Sequence, residues 1–237
     1  MSEYECFMRQ MDVIAPSEIP PITIIGSGAS GSGIGVVAGK LGSQNITLYD
    51  GDIVELHNIS NQYFSGNTLG RNKAGALREE IMRLAPPLMK PMVMSIEDMF
   101  TEESDVHSPI VFLCVDGIES RELVFNRLTE CSNVKWVIET RMSAEYYEVN
   151  TINMNNEQEI DGWKRSLEGP MREEPCTERS VIYTVMLMSA RAVYHMKKIV
   201  KLQPVPLHYS ENLSSELTGP YIEWRTGEHP RDRIGRN

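Results

Sequence analysis

Gly26, Gly28 and Gly31 stand at G-x-G-x-x-G spacing directly behind the apolar run "ITII". Glycines placed so between a strand and a helix bring backbone N–H groups and a helix N-terminus against an anion, which needs no basic side chain to be held there. Asp50 follows nineteen residues after Gly31, at the end of a second apolar run, "NITLYD". A carboxylate there accepts hydrogen bonds from ribose hydroxyls. Loop and acid together point to an adenosine nucleotide and leave NAD and ATP both open; the loop alone is also compatible with a plain tight turn.

The residues that follow bear on that choice. "LYDGDIVELHNISNQYF" and "LGRNKAGA" place Asp52, Asn58, Gln62 and Lys73 just beyond Asp50. A lysine in that position can reach the β- and γ-phosphates as a point charge, a task a dehydrogenase does not have. Asp116 closes the apolar run "PIVFLCVD". It therefore stands at the carboxyl edge of the expected sheet, where open α/β folds hold ligands and where a carboxylate beside phosphate oxygens suits Mg²⁺. Capping the next helix is the other reading of Asp116.

These residues require an α/β scaffold. The chain reads strand at 22–25, a helix through "GIGVVAGKLG", strand at 45–50, then a helix through "KAGALREEIMRL" with Ala76, Leu77, Ile81 and Leu84 at helical spacing. "KPMVMSI" and "PIVFLCVD" read as further strands, the second central because it is apolar throughout. "GIESRELVFNRLTEC" has helical periodicity, and "VKWVIET" and "YYEVNTINM" read as later strands. The expected fold is α/β and Rossmann-like, with a mostly parallel central sheet, helices on both faces and antiparallel strands toward the C-terminal part. Residues 155–177 carry few apolar anchors and are expected to form a mobile crossover. A long amphipathic helix over 178–201 follows, and 203–237, with several prolines and no clear period, reads as a tail or docking arm beyond a main domain of 1–202 whose first 20 residues form an N-terminal arm.

The formal charge of -10, from 33 acidic and 23 basic residues, makes nucleic acid an unfavoured partner. Cys6, Cys114, Cys131 and Cys176 include no C-x-x-C pair, so no cysteine zinc site is expected. No apolar run has the roughly 18 residues a membrane span needs, and the start lacks a leader pattern. A cytoplasmic protein is the expectation.

Five ordered stretches resemble the ThiF/MoeB-type adenylating enzymes, relatives of the ubiquitin-activating enzymes. Arg9 in "CFMRQMDV" is similar to the arginine of the family's "RYxRQ" arm, and "GSGASGS" to "GxGGxGS". "LYDGDIVELHNISNQ" resembles "LxDxDxVexSNLxRQ", "LGRNKA" resembles "xGxxKa", and "VDGIESRELVFN" resembles "xDnxxxRxxxN". The likeness runs over 4–154 and more loosely to 202. It implies that Asp50 holds the ribose, that Asn58, Gln62 and Lys73 address the phosphates, that Asp116 binds Mg²⁺, and that Arg9 reaches the ATP site of the other subunit of a homodimer. The implied reaction is attack of a C-terminal carboxylate on the α-phosphate of ATP, giving an acyl-adenylate and pyrophosphate. The implied substrate is a ubiquitin-like or sulfur-carrier protein with a glycine-ending tail. Cys176, whose place resembles that of the family's acceptor cysteine, would then take the acyl group as a thioester.

The sequence also departs from the pattern. Asn61 replaces the arginine of "NLxRQ", leaving Arg71 or Arg121 as substitutes; Ala29 replaces the third glycine; both zinc pairs are absent. Adenylation of a peptide or other small carboxylate, a nucleotide-binding pseudoenzyme or scaffold suggested by Asn61, and an NAD-dependent oxidoreductase are the alternatives. Cys114 reads as core, Cys131 as an unactivated helix end, His57 as a solvated loop residue, and Arg141 as a surface salt bridge near the path of substrate, with Met142 beside it.

Overall fold

The computed structural model describes residues 3–167, 180–215 and 219–225. Its frame is one eight-stranded sheet in the order β3-β2-β1-β4-β5-β6-β7-β8. The strands β1 (Ile22–Ile25), β2 (Asn45–Tyr49), β3 (Met92–Ile96), β4 (Ile110–Leu113) and β5 (Trp136–Ser143) are mutually parallel. To them β6 (Tyr146–Asn153), β7 (His208–Asn212) and β8 (Tyr221–Glu223) add in antiparallel fashion. The mixed α/β architecture is the one expected from the sequence.

The central strands β1 and β4 are buried at every residue, because helices cover both faces. On one face lie α1 (Ala29–Leu41), α2 (Lys73–Leu84) and α5 (Ile182–Val200); on the other lie α3 (Ile118–Glu130) and α4 (Glu157–Arg165). Helix α1 is glycine-rich for a packing reason: a Cβ at Gly33 would lie 2.2 Å from the Ser189 hydroxyl of α5. The close crossing of α1 and α5 depends on its absence. Chain order reverses between β1 and β4, so the loops leaving these two strands diverge and open a crevice at the carboxyl edge.

Two stretches differ from the sequence reading. Within the expected mobile crossover, 157–165 form α4, whose Trp163 is buried and stacks on Phe125 with ring centroids 3.8 Å apart. Only Ile160, Trp163 and Leu167 anchor it, too few apolar residues to register as a periodic face. Within the expected tail, the chain supplies strands β7 and β8. Its anchor is polar: the Arg225 guanidinium donates to both Glu159 carboxylate oxygens, at 2.7 and 2.8 Å, and to the Val205 carbonyl, and it lies 5.0 Å over the Trp136 ring. Helix α5 begins at Ile182 and ends at Val200, inside the expected 178–201.

Candidate functional site

The crevice lies at the ends of β1, β2 and β4. Behind β1, the three glycines have separate duties. Gly26 has φ +91°, and a Cβ there would meet the Cys114 carbonyl at 2.8 Å; a Cβ at Gly31 would lie 1.8 Å from the Gly26 oxygen. These two let the loop close against β4 and let α1 sit down on β1. A Cβ at Gly28 would meet nothing within 4 Å. Gly28 is also the N-cap of α1 and brings no side chain to its free N–H groups, so the positive end of the helix faces open space.

Asp50 follows the last residue of β2. One carboxylate oxygen accepts from the Ser27 N–H at 2.6 Å and the other from the Asp52 N–H at 2.8 Å. Burial raises its pKa, and these N–H groups and Lys73 pull the other way without overcoming it. The acid is thereby tied to the glycine loop.

A residue the sequence reading passed over, Asn72, positions the lysine. Its side-chain oxygen accepts from the Gly75 N–H, capping α2, while its Nδ2 donates to the Asp50 carbonyl at 2.8 Å. That clamp fixes Lys73, the first residue of α2, on the Asp50 side of the crevice. The Lys73 Nζ lies 2.9 Å from an Asp52 carboxylate oxygen; the Lys73 side chain is 13 % exposed and that of Asp52 62 %. The signal available was an asparagine directly ahead of a helical run, a standard N-cap.

The segment between them is tightly folded. Asn58 is buried, with its side-chain oxygen accepting from the Glu55 N–H at 2.8 Å, and the Gln62 N–H donates to the Asn58 carbonyl. The Gln62 side-chain oxygen is buried without a hydrogen-bond partner among the described residues. Asn61 satisfies its neighbours when its Oδ1 accepts from Ser180 and its Nδ2 donates to the Asn58 and His57 carbonyls. The residue standing in place of the family arginine thus joins this loop to the start of α5. His57 is solvent-exposed, as its loop position suggested.

Asp116 is exposed behind β4 and is followed by Gly117, which caps α3 at φ +76°. Neither substitute cation proposed from the sequence faces the crevice. Arg71 makes a two-pronged pair with Glu79. Arg121 is buried and pairs with Glu139, a side chain with 0 % exposure, which also accepts from Arg141 at 2.8 Å and Asn150 at 2.7 Å. Burial opposes the Glu139 charge, but Arg121 and Arg141 outweigh it and hold its pKa below the usual range. Arg141, expected in a surface salt bridge, is therefore part of a buried cluster and reaches on to Ser166; Met142 packs against the core. Burial pushes the Cys114 thiol to about 12, so it is inert, while Cys131 caps the end of α3.

Arg9 is exposed on an arm attached at the far end of α1, where the Gln10 side chain donates to the Leu41 carbonyl at 2.7 Å. The 13 residues of α1 rise about 1.5 Å each, so roughly 18 Å of helix lies between that attachment and the glycine loop. Within one chain, Arg9 is not brought together with Asp50 and Lys73. Cys176 lies outside the described residues. Among the described residues, no group of three or more His, Cys, Asp or Glu could hold a metal ion, and no helix is long and apolar enough to cross a membrane.

A family model described as the ThiF family matches residues 18–219. No curated protein sequence matches. Among solved structures, PaaA superposes with a TM-score of 0.73 at 15 % identity, covering 94 % of this chain and 74 % of that one. MccB from E. coli with AMPCPP and MccA gives 0.69 at 16 % identity, with 97 % and 72 % covered. The same enzyme with ATP gives 0.67 at 15 % identity, with 94 % and 68 % covered. At these identities the likeness speaks for the fold.

Proposed function

The chain belongs to the ThiF family, and on that premise we propose that it uses ATP to adenylate the C-terminal carboxylate of a small protein or peptide. The observation that carries this reading is the placement of Lys73: the Asn72 clamp puts a cation, together with Asp50 and Asp52, at the mouth of a glycine loop. A hydride-transfer enzyme has no use for that cation. MccB, a similar fold, has been crystallised with ATP and with MccA.

In this reading Gly28 leaves room for phosphate oxygens, which the α1 N–H groups meet, and Asp50 takes the ribose. Gln62, with its unsatisfied buried oxygen, and Asn58 support the phosphate side, and Lys73 leaves Asp52 to face the β- and γ-phosphates. The exposed Asp116 carboxylate suits Mg²⁺, which is commonly held by one or two carboxylates plus phosphate oxygens and water. That ion would offset the charge of the departing pyrophosphate. The incoming carboxylate attacks the α-phosphorus, the bond to the β-phosphate oxygen breaks, and pyrophosphate leaves. No proton has to move, so the protein's task is to align two anions and damp their repulsion. Arg9 serves the site of a second copy, because its arm is fixed at the wrong end of α1 to serve its own. For the donor, a ubiquitin-like or sulfur-carrier protein with a glycine-ending tail is the finer reading, with Cys176 as acyl acceptor.

Asn61 supports a second reading, a nucleotide-binding scaffold without chemistry, since it bonds Ser180 where relatives carry a cation. Exchange of labelled pyrophosphate into ATP, with carrier proteins and free peptides as donors, separates the two. Exchange with at least one donor is expected, and Lys73→Ala should lower it about 10²–10³-fold. ATP binding with no exchange for any carboxylate would leave the scaffold. If exchange is found, Cys176→Ala should keep it and remove a reductant-sensitive adduct with the carrier.

A further inference from the structure

A right-handed crossover fixes the face of the sheet on which its helix lies. The connections β1 to β2 and β2 to β3 step one way along the sheet and carry α1 and α2 on one face. The connection β3 to β4 steps back the other way, as β4 to β5 does with α3, and belongs on the α3 face. That connection, residues 97–109, contains turns and no helix. The part of the α3 face over β2 and β3 therefore lacks the helix that parallel strands normally have on each side.

The side chains of β3 show the consequence. Val93 packs into the core on the α2 side, whereas Met92 and Met94, on the opposite face, are 71 % and 55 % exposed. Beside them in register on β2 stand Asn45 and Thr47, both half-buried. The carboxyl end of the same row, Ile96 and Tyr49, is roofed by the connection: the Tyr49 hydroxyl donates to the Asp105 carbonyl at 2.8 Å, and the Phe100 ring meets Tyr49 edge-on at 5.2 Å. Under that roof a cavity of about 520 Å³ is lined by Tyr49, Ile96 and Met99 and by the acids Asp98 and Glu103.

Shape and charge identify what fits there. The five residues of each strand make a strip about 17 Å long, which three turns of helix, about 16 Å, match. The outer edge of β3 is closed to an added strand, because the Arg78 Nε donates to the Val93 carbonyl at 3.0 Å. Methionine side chains repack around varied apolar partners, as a docking face requires. At the carboxyl end of the strip, Asp98, Glu102 and Glu103 are exposed and enter no ion pair among the described residues, while Asp105 is paired with Arg127. The complement is a helix with an apolar stripe and lysines or arginines beside it. We propose that the methionine flank of β2 and β3 docks a basic amphipathic helix of a partner protein, lying where the β3 to β4 connection supplies none, with its cations over Asp98, Glu102 and Glu103. This docking does not depend on adenylation, since the face follows from the sheet topology and the side chains on it.

NMR of the full chain with isotope-labelled methionine methyls tests this, Met92→Leu and Met94→Leu assigning the two signals. A synthetic leucine and lysine helix of about four turns should shift Met92 and Met94 saturably and leave Met186, similarly exposed on α5 at 52 %, unmoved. Met92→Gln together with Met94→Gln should weaken binding of the same peptide, read by fluorescence anisotropy, about tenfold or more. Glu102→Gln together with Glu103→Gln should weaken it about threefold at low salt, with the difference lost at high salt. A peptide of the same composition in scrambled order should bind about tenfold more weakly. Absence of saturable shifts at Met92 and Met94, equal shifts at Met186, or indifference to the methionine pair overturns the proposal. Equal binding of the scrambled peptide refutes a helix as the occupant. Shifts of Met92 and Met94 with the concentration of the chain alone would make a second copy the occupant instead.

Discussion

Two clusters of charged side chains stand at carboxyl ends of the same sheet, and they differ in what remains available. Around β1 and β2, Asp50, Asp52 and Lys73 are held largely by backbone N–H groups and by one another, and Asp52 and Asp116 face solvent. Around β5, Glu139 is fully buried and saturated by Arg121, Arg141 and Asn150, and Asn150 passes the chain on to His208 at 2.6 Å. The residue types are similar. The first cluster can exchange its partners for a ligand, whereas opening the second would strand buried charge. A buried, saturated ion network at a strand end has nothing left to offer a ligand, whereas a partly exposed one beside a glycine loop keeps carboxylates that a ligand can reach.

The contrast can be broken most sharply at the glycines. Gly31→Ala would place a methyl 1.8 Å from a backbone oxygen, so loss of soluble folded protein is expected. Gly28→Ala, with nothing within 4 Å of its Cβ, should keep its thermal midpoint to within about 0.5 kcal/mol of stability and lose nucleotide affinity in calorimetric titration. Equal stability losses from both would show that Gly28 also serves packing.

Glu139→Ala comes next in size. It leaves two arginines without their counter-charge, and urea denaturation should show a loss of about 3–5 kcal/mol, while Lys73→Ala, on a half-exposed pair, should cost under about 1 kcal/mol. Similar losses would erase the distinction between the clusters.

The smallest effect per step is a slope with pH, about 1.4 kcal/mol for each pH unit. His195 on α5 is buried, with its Nδ1 2.8 Å from the Thr151 hydroxyl, and burial first, then Arg191, Lys198 and Arg225, lower its pKa from 6.5 to about 3. The unfolded chain takes up a proton as pH falls through 6.5 and the folded chain only near 3. The stability this contributes is complete above pH 6.5 and declines between 6.5 and 3. His195→Gln should flatten the denaturant midpoint against pH over that window. An unchanged slope would show that His195 titrates freely and is not locked into the antiparallel half.

Much of the fold was legible because short, largely apolar runs such as "ITII" and "IVFL", bounded by glycine and proline, are of the kind expected for strands covered on both faces, and because five spaced motifs accompanied them. Helix α4 and strands β7 and β8 were not. Their anchors are a few scattered side chains, chief among them Trp163 on Phe125 and Arg225 on Glu159, and these leave no period. The Asn72 clamp was visible as a cap signal, but its second bond, to the Asp50 carbonyl, joins residues 22 apart and follows only from the fold.

By itself, then, the sequence determined the α/β class, the family likeness and the glycine loop with its acid and lysine, since each depends on local spacing and strand burial. Tertiary structure decided which charges are available. It took Arg71 and Arg121 out of the crevice, drew Arg141 onto buried Glu139, set Lys73 on Asp52 and fixed the Arg9 arm at the far end of α1. Pairing between distant residues depends on the register of strands and the crossing of helices, and no local pattern encodes either.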